Sequence, residues 1–378
     1  MKDVGIYIHI PFCQSKCYYC DFCSFTKVID NVEEYVSSIK KEIDLYEKYL
    51  NEYNISTIFI GGGTPTVIDG KFIYEIIEHI HKKARANNIK EITIEANPKT
   101  IDKKKLNYYK KAGINRISIG LQSMNDLTLK NIGRIHTVED FITTYNLVRK
   151  HGFNNVSLDL MYNLPDQTLE DSIRTLELAI KLEPEHISYY SLNIEEGTPF
   201  YNKYINNQLI LPDEDTERDM YHNGIDLLEQ KGYYHYEISN FAKKGYECKH
   251  NMIYWNCEPY IGLGLSAHSY FNNFRYGNTD NMDFYFEKIS NKNLAIAEKE
   301  FIDNKMEIAE YLILGLRLTQ GIKYNSFKEK FNIDIKEVYG GTIEKFINEG
   351  LLVEETGNIR LSRLGLDLCN IVFMEILP

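Results

Sequence analysis

The sequence predicts an α/β fold: a partial (β/α)6 barrel, then a C-terminal α+β extension and a small winged-helix-like module. Three observations predict it: six short β-rich runs, amphipathic stretches between them, and a change of pattern after about residue 230. Strands alternating with helices form a parallel sheet with right-handed crossovers. Because six units are fewer than the eight of a closed barrel, we expect an open barrel with ligands at the C-terminal strand ends. The predicted domains are 1–230, 231–298 and 299–378.

The six predicted strands are buried or half-buried runs rich in Ile, Val and Tyr. They cover 5–10, 56–62, 91–97, 116–122, 156–162 and 186–193. Amphipathic helices are expected between them, for example at 32–50 and 72–84. Asp102, Glu139 and Glu170 lie near the starts of three later helices, where negative charge suits the helix dipole.

The last 150 residues follow a different pattern. Residues 231–298 are rich in loops, aromatic residues, His and Cys. From about 299 we expect a long helix over 300–321, helical segments near 325–332 and 337–349, and a hairpin that turns at Thr356-Gly357-Asn358. This arrangement resembles a winged helix, but the candidate second helix carries one Lys against two Glu. A structural or lid role is therefore favoured over DNA binding.

Composition limits the function further. Hydrophobic residues make up 43% and charged residues 26% of the 378 residues, as in ordinary globular proteins. A net charge of −11 argues against nucleic acids or anionic membranes as the main partner. The N-terminus lacks a signal-peptide pattern, and no apolar run approaches the roughly 20 residues that span a bilayer. We therefore expect a cytoplasmic protein with reduced thiols.

Four of the seven cysteines cluster near the N-terminus, in the segment CQSKCYYCDFC. A disulfide, a zinc site and an iron–sulfur cluster are the candidates, and a reducing compartment favours metal or catalysis over a disulfide. Cys13, Cys17 and Cys20 could hold three irons of a four-iron cluster and leave the fourth open. Zinc would need a fourth ligand such as Cys23, in a loop that is unusually compact for a tetrahedral ion.

Polar and glycine residues follow the other predicted strands where each one ends. The second strand ends in GGGTPT, the third carries Glu95, the fourth ends in Gln122 and the fifth carries Asp159. Glycines let the backbone approach a ligand closely. Since the C-terminal strand ends meet at one face of a parallel barrel, we expect these groups and the cysteines to form one active site.

The motif C-x3-C-x2-C together with GGGTPT resembles the radical S-adenosylmethionine (SAM) superfamily, and the predicted barrel is then a radical SAM barrel. The resemblance narrows to the family of oxygen-independent coproporphyrinogen III oxidases and their relatives. It covers nearly the whole chain and rests on Y-x-H-I-P-F-C, C-x-Y-C-D-F, I-E-x-N-P, R-I-S-I-G-x-Q-S, G-R-x-H and L-D-L-M-Y.

This resemblance implies a [4Fe-4S] cluster on Cys13, Cys17 and Cys20, and SAM on its open iron. The implied SAM contacts are Tyr7, Gly62, Gly63, Thr64, Glu95, Gln122, Arg134 and Asp159. Tyr19, between the second and third cysteines, could pack over an adenine ring. A flavodoxin or ferredoxin is implied as the electron donor. Reduction of SAM by the cluster would release methionine and a 5′-deoxyadenosyl radical.

The chain departs from the decarboxylating oxidases around the cysteine motif and by the gain of a second motif further along. Only twelve residues precede Cys13, and Cys23 comes one residue later than the fourth cysteine of those enzymes. The motif H-N-x-x-Y-W, residues 250–255, resembles the branch of haem chaperones, in which it is associated with haem binding. The implied haem residues are His250, Asn251, Tyr254 and Trp255. Cys248, Cys257 and His268 are alternative ligands, and they could also bind zinc.

We therefore expect a haem chaperone that uses a cluster and SAM to pass haem to an acceptor haemoprotein, with peripheral association at membrane haemoproteins. The alternative is an oxygen-independent coproporphyrinogen III oxidase, which decarboxylates two propionates to vinyl groups. A radical SAM enzyme on an unrelated substrate is the third hypothesis.

Overall fold

Six parallel strands form the centre of the molecule, and each pairs with the next in chain order. The computed structural model describes residues 2–26, 31–86 and 88–378. The strands are β1 (Asp3–Ile10), β2 (Asn54–Gly62), β3 (Glu91–Ala96), β4 (Arg116–Gln122), β5 (Val156–Tyr162) and β6 (His186–Ser191). The predicted partial barrel is confirmed, and each strand bound lies within two residues of its prediction.

These strands form a sheet because β-branched residues fill them and both faces are covered. Ile6, Ile8 and Ile10 of β1 are fully buried, and β4 is buried at every position. Continuous burial of this kind is typical of a parallel sheet whose outer face is packed by helices. The polar side chains that remain in the strands therefore face the inside of the barrel or its rim.

Six helices follow the first five strands, and side-chain caps fix where most of them begin. They are α1 (Val32–Leu50), α2 (Gly70–Lys83), α3 (Lys103–Lys111), α4 (Asp126–Asn131), α5 (Val138–Lys150) and α6 (Leu169–Ile180). Asp102 caps α3 by accepting from the amide of Lys105. Thr137 and Thr168 form capping boxes at α5 and α6. The predicted acidic helix starts are confirmed, with Asp102 as a cap and the two glutamates in first turns.

The sheet continues past both β1 and β6, and it contains twelve strands in the part of the chain that the structure describes. The elements that follow β6 are α7 (Pro199–Ile205), α8 (Glu214–Gln230), β7 (Tyr234–Glu237), β8 (Asn240–Ala242), α9 (Lys249–Trp255), β9 (Tyr260–Leu263), β10 (His268–Phe271), β11 (Phe274–Asn278), α10 (Met282–Ser290) and β12 (Ile296–Phe301). β8 and β7 pair antiparallel beyond β6, whereas β9 pairs parallel with β1 and leads to antiparallel β10, β11 and β12.

The expectation that 231–298 is loop-rich is therefore wrong in one respect. The segment supplies six strands, five of them only three to five residues long. Strands of this length contain too few alternating positions to give a periodic signal. Their pairing with β1 and β6 is a contact between distant parts of the chain, which local sequence does not encode.

The C-terminal segment forms a second hydrophobic core around a three-stranded sheet. Its elements are α11 (Asn304–Gly315), β13 (Ile322–Lys323), α12 (Tyr324–Phe331), α13 (Ile335–Asn348), β14 (Leu352–Glu355), β15 (Asn358–Leu361), α14 (Arg363–Asp367) and α15 (Cys369–Ile376). The hairpin turns at Thr356-Gly357, within the predicted turn Thr356-Gly357-Asn358, and both residues have positive φ. The predicted helix over 300–321 is too long, because Phe301 ends β12 and Asp303 caps α11.

No helix among the described residues is long and apolar enough to cross a membrane.

Candidate iron–sulfur and cofactor site

Cys13, Cys17 and Cys20 lie on the loop after β1 and line one cavity at the C-terminal ends of the strands. The amide of Phe25 donates to the carbonyl of Pro11 at 2.7 Å, and its own carbonyl accepts from the amide of Cys13 at 3.0 Å. All seven cysteines are free. Backbone hydrogen bonds hold the loop, and the three thiols remain free to bind a metal group.

The three thiols can serve as ligands of a four-iron cluster. In the ranges 2–26, 31–86 and 88–378, no three His, Cys, Asp or Glu side chains converge closely enough to hold one metal ion. In a four-iron cluster each cysteine binds a different iron, so the ligands need not converge. Cys23 lines a neighbouring cavity with Tyr7 and Phe25, whereas the other three cysteines line this one. The position of Cys23 supports its exclusion from the ligand set.

The glycine segment after β2 packs directly against the cysteine loop. A Cβ on Gly63 would lie 2.8 Å from the carbonyl oxygen of Phe12 and 2.9 Å from Sγ of Cys13. The next residue, Thr64, has its Oγ1 3.6 Å from the same sulfur. Gly62 has a φ of 110°, which side chains rarely adopt. The segment therefore needs glycine for close packing, and it presents bare backbone beside the cysteines.

Arg134 connects the cysteine loop to this segment. Its Nη1 donates to Sγ of Cys17 at 3.5 Å, and its Nη2 donates to Oδ1 of Asn97 at 2.6 Å and to the carbonyl of Gly120 at 2.6 Å. Asn97 in turn donates to Oγ1 of Thr64 at 2.8 Å. A continuous chain of hydrogen bonds thus runs from Cys17 to the threonine, and protein groups already hold the guanidinium that is predicted to contact SAM.

Gln122 and Asp159 line the same cavity, and each accepts from a hydroxyl on another strand. Tyr190 donates to Oε1 of Gln122 at 3.1 Å. Ser118 donates to the Asp159 carboxylate at 2.9 Å. Gln122 has a φ of 69°, which turns the chain at the end of β4. The two side chains are thereby held in the wall of this cavity.

Glu95 lies between the glycine segment and Asp159. A Cβ on Gly61 would lie 2.9 Å from Oε2 of Glu95. Burial, reinforced by the Asp159 carboxylate, raises the pKa of Glu95 to about 8. Glu95 is therefore mainly protonated at neutral pH, and can donate as well as accept a hydrogen bond.

The two predicted tyrosine contacts occupy different cavities. Tyr19 lines the cavity of the three cysteines, where its ring is 6.5 Å from that of Phe200. Tyr7 lines the neighbouring cavity, and its hydroxyl is 3.1 Å from Nδ1 of His9. The structure thus brings the predicted cysteines and SAM contacts together around one cavity, except for Tyr7, which lines the neighbouring cavity.

Asn97 and Tyr190 are cavity residues outside the predicted set that hold predicted residues in place. Each bonds a predicted residue and lines the cavity itself. Asn97 lies within I-E-x-N-P, directly after β3, and this position at a strand end could have identified it as a site residue. Tyr190 lies on β6 next to Tyr189, and its contact with Gln122 distinguishes it from that residue.

The H-N-x-x-Y-W motif forms α9, which packs against β2. The carboxylate of Glu91 caps this helix by accepting from the amides of Lys249 and His250, at 3.1 and 3.2 Å. His250 has no exposed surface. Its Nδ1 is 2.7 Å from Oγ1 of Thr57 and its Nε2 is 2.8 Å from the hydroxyl of Tyr254. Both ring nitrogens are thus occupied within the protein.

The other motif residues face different spaces. Asn251 lines the interior of the barrel, together with Arg116 and Asp159. Tyr254 and Trp255 line the neighbouring cavity that contains Tyr7. Trp255 also reaches the side of the C-terminal segment, where the Arg317 guanidinium lies 4.6 Å from its ring. The motif therefore does not gather its four predicted haem residues around one space.

The three alternative haem ligands differ in accessibility. Cys248 and Cys257 are buried, and burial raises the pKa of each thiol to about 12. Cys248 also approaches Oε1 of Glu91 at 3.5 Å. His268, in contrast, is exposed and lines the same cavity as Tyr254 and Trp255. A ligand in that cavity can reach His268 without any rearrangement of the core.

We call the space around the three cysteines the cluster cavity, and the space lined by Tyr7, Phe22, Tyr254, Trp255 and His268 the aromatic cavity. Lys16 and Phe22 line both. Phe22 is 63% exposed and also lines the barrel interior, so it lies where three spaces meet. A ligand in the aromatic cavity would therefore be a direct neighbour of the cluster site.

The partial barrel, the cysteine loop and the glycine segment define a radical SAM protein. The family model of the radical SAM superfamily matches residues 7–179, and that of the HemN C-terminal domain matches residues 302–368. The fold is similar to that of coproporphyrinogen III oxidase (HemN) from Escherichia coli, with a TM-score of 0.86 and 21% identity, covering 99% of this chain and 90% of that one. At this identity the likeness shows the fold alone.

Relatives in sequence show which family of radical SAM proteins the chain belongs to. The chain is 36% identical over 368 residues to the "Heme chaperone HemW" of Bacillus subtilis, covering 97% of each. It is 39% identical over 356 residues to the protein of the same name from Buchnera aphidicola subsp. Schizaphis graminum, covering 91% of this chain and 92% of the relative. The chain belongs to the HemW family.

Proposed function

We propose that this protein is a haem chaperone, which binds haem beside a [4Fe-4S] cluster and SAM and passes it to acceptor haemoproteins. One observation carries the proposal: the H-N-x-x-Y-W helix lines the aromatic cavity, which shares Lys16 and Phe22 with the cluster cavity. Membership of the HemW family supports the same function.

The cluster would be held by Cys13, Cys17 and Cys20. The compact loop, the bare glycine backbone beside Cys13 and the Arg134 hydrogen bond to Cys17 all suit a group bound through thiolates. When bound, a reduced cluster of this kind supplies single electrons to SAM on its open iron. The protein side chains would exclude water and hold both groups in place.

SAM would be held by backbone and side-chain groups that line the cluster cavity. Gly62, Gly63 and Thr64 offer backbone groups, and Glu95, Gln122 and Asp159 offer side-chain oxygens around the same cavity. Asp159 is held by Ser118 and can accept from ribose hydroxyls. Tyr19 would cover the adenine.

Haem would lie in the aromatic cavity. Tyr254 and Tyr260 contact each other edge to face, with ring centroids 4.6 Å apart, and line the cavity beside Trp255. Aromatic rings with a few polar groups are typical of sites for flat apolar ligands. The cavity volume of about 830 Å³ lies within the range of small-molecule sites.

The remaining parts of the proposal are a flavodoxin or ferredoxin as electron donor, an acceptor haemoprotein and a cytoplasmic location. The net charge of −11 supports the absence of nucleic acid among the partners.

The test uses protein purified without oxygen and reconstituted with iron and sulfide. Haem titration should give a saturable Soret band, and apomyoglobin added as acceptor should then gain haem. Trp255→Ala should weaken haem binding about tenfold, because one aromatic wall is lost. Phe284→Ala removes an aromatic residue exposed on α10 and should change nothing. If wild type instead converts coproporphyrinogen to protoporphyrinogen and transfers no haem, the chaperone function is wrong and the oxidase alternative is correct.

A further inference from the structure

We propose that His268, rather than the motif histidine, is the axial ligand of the haem iron in the aromatic cavity. This inference rests on the proposed function, because it names the residue that would bind iron at that site. Three observations carry it: the surroundings of His250, the surroundings of His268, and the shape of the cavity that His268 faces.

His250 is part of the core. Its imidazole bridges Thr57 on β2 and Tyr254 on its own helix, and its ring lies 5.3 Å from that of Phe59. Burial lowers its pKa to about 3, so the ring is neutral. An axial ligand needs one free nitrogen that points at the iron. To bind iron, His250 would have to break one of two short hydrogen bonds and leave a fully buried position. Its role is therefore structural, because it connects its helix to the barrel.

His268 has the opposite surroundings. It is the first residue of β10, its side chain is 56% exposed, and it lines the aromatic cavity. Its Nδ1 lies 3.8 Å from Oε1 of Glu298 on β12, and across the described residues no hydrogen bond to its Nε2 is found. A histidine that binds a metal commonly has a carboxylate behind its other nitrogen, which orients the ring and raises its basicity. Glu298 lies on the side where such a carboxylate would act.

A glycine makes room for this pair. Gly277 on β11 lies between the two strands, opposite both His268 and Glu298. A Cβ on Gly277 would lie 2.9 Å from Cε1 of His268 and 3.1 Å from Oε1 of Glu298. The imidazole and the carboxylate therefore both rest on bare backbone, and a side chain there would force them apart.

The walls of the cavity suit a porphyrin that His268 binds from one side. Tyr254, Trp255, Tyr260 and Phe22 provide flat surfaces around it. Asp21 and Asp280 line the same cavity, so the two propionates are expected to point towards solvent, where Lys16 can pair with one of them.

The experiment compares single variants of the reconstituted protein by ferric haem titration, with the Soret position and the EPR spectrum as readouts. His268→Ala should lose the spectrum of a histidine-ligated haem and bind haem about tenfold or more weakly. His268→Gly should recover that spectrum when imidazole is added, because free imidazole can occupy the vacated space. His268 is exposed, so neither change should affect folding or cluster content.

His250→Gln and Glu298→Gln complete the test. A glutamine at 250 can keep one of the two hydrogen bonds, so a variant that folds should retain the Soret position of wild type. Glu298→Gln should bind haem but shift its EPR signal, since the partner of the imidazole has changed. Wild-type spectra in both His268 variants, or their loss in folded His250→Gln, would overturn the assignment. Failure of the wild type to bind haem would instead overturn the proposed function.

Discussion

The guanidinium of Arg134 donates to the sulfur of Cys17 at 3.5 Å, although 117 residues separate them. The same side chain is fixed by Asn97 and by the carbonyl of Gly120, so its direction towards the sulfur is set by the barrel rim. A cation beside a cluster thiolate stabilises the reduced, more negative state of the cluster. Arg134 is therefore placed to raise the reduction potential of a cluster bound to Cys17.

Arg134→Gln should lower the reduction potential of the reconstituted cluster. A hydrogen bond from a charged donor contributes about 1.5–3 kcal/mol, which for one electron corresponds to roughly 65–130 mV. A redox titration followed by EPR measures the change. Arg149→Gln is the matched control, because that arginine lies in the last turn of α5 and pairs with Glu185. It is not among the described residues that line the cluster cavity. Equal potentials in wild type and Arg134→Gln would contradict the role of this bond.

Substitution can distinguish the three predicted cluster ligands from Cys23. Cys17→Ser should lose most of the brown absorbance of the reconstituted protein and most of its iron, because the cluster loses one of three ligands. Cys23→Ser should keep both, since Cys23 lines the aromatic cavity and not the cluster cavity. Iron and sulfide analysis measures the difference. Cluster loss in Cys23→Ser, with wild-type circular dichroism, would make Cys23 a fourth ligand.

Gly63→Ala should prevent assembly of the site. The added methyl would lie within 3 Å of the Phe12 carbonyl and of Sγ of Cys13, and backbone cannot move aside as a flexible side chain can. We expect lower cluster content and SAM affinity reduced at least about tenfold by calorimetry. Gly341→Ala, within α13 and with open space around it, is the control and should leave both unchanged. Normal SAM binding in Gly63→Ala would show that the loop is not packed as described.

Much of the barrel could be predicted because its strands carry continuous apolar runs that end in polar residues. Glu95 comes near the end of such a run and Asp159 is the central residue of another, and parallel strands bring their ends to one face. The residues around the cluster cavity could therefore be predicted from the order of the strands and their polar residues along the chain. Tyr7 did not, because it lies further back on β1 and faces the aromatic cavity.

The surroundings of His250 could not be predicted in the same way. Its partner Thr57 lies 193 residues away, and nothing near either residue encodes their contact. The sequence places a histidine beside aromatic residues, which is equally typical of a ligand and of a core residue. The short strands that place His268 and Glu298 together were missed for a similar reason, since their pairing comes from the extended sheet.

The buried carboxyl group of Glu42 links α1 to the C-terminal extension and should make stability depend on pH. It accepts from the amide of Gly264 at 2.8 Å, from Asn278 at 2.7 Å and from the Tyr285 hydroxyl at 2.7 Å. Burial nevertheless raises its pKa to about 7, since the cost of desolvating the charge exceeds these three bonds. The folded protein therefore holds a proton that the unfolded chain releases above its ordinary pKa of 4.5.

It follows that the contribution of Glu42 to stability is complete below about pH 4.5 and is lost as the pH rises through about 7. Between about pH 5.5 and 8 the free energy of unfolding of wild type, relative to Glu42→Gln, should fall by about 2 kcal/mol. Urea unfolding across this range measures it. Tyr285→Phe removes one bond that favours the charged form, so it should move the inflection to higher pH. Parallel profiles for wild type and Glu42→Gln would show that Glu42 keeps one charge state throughout.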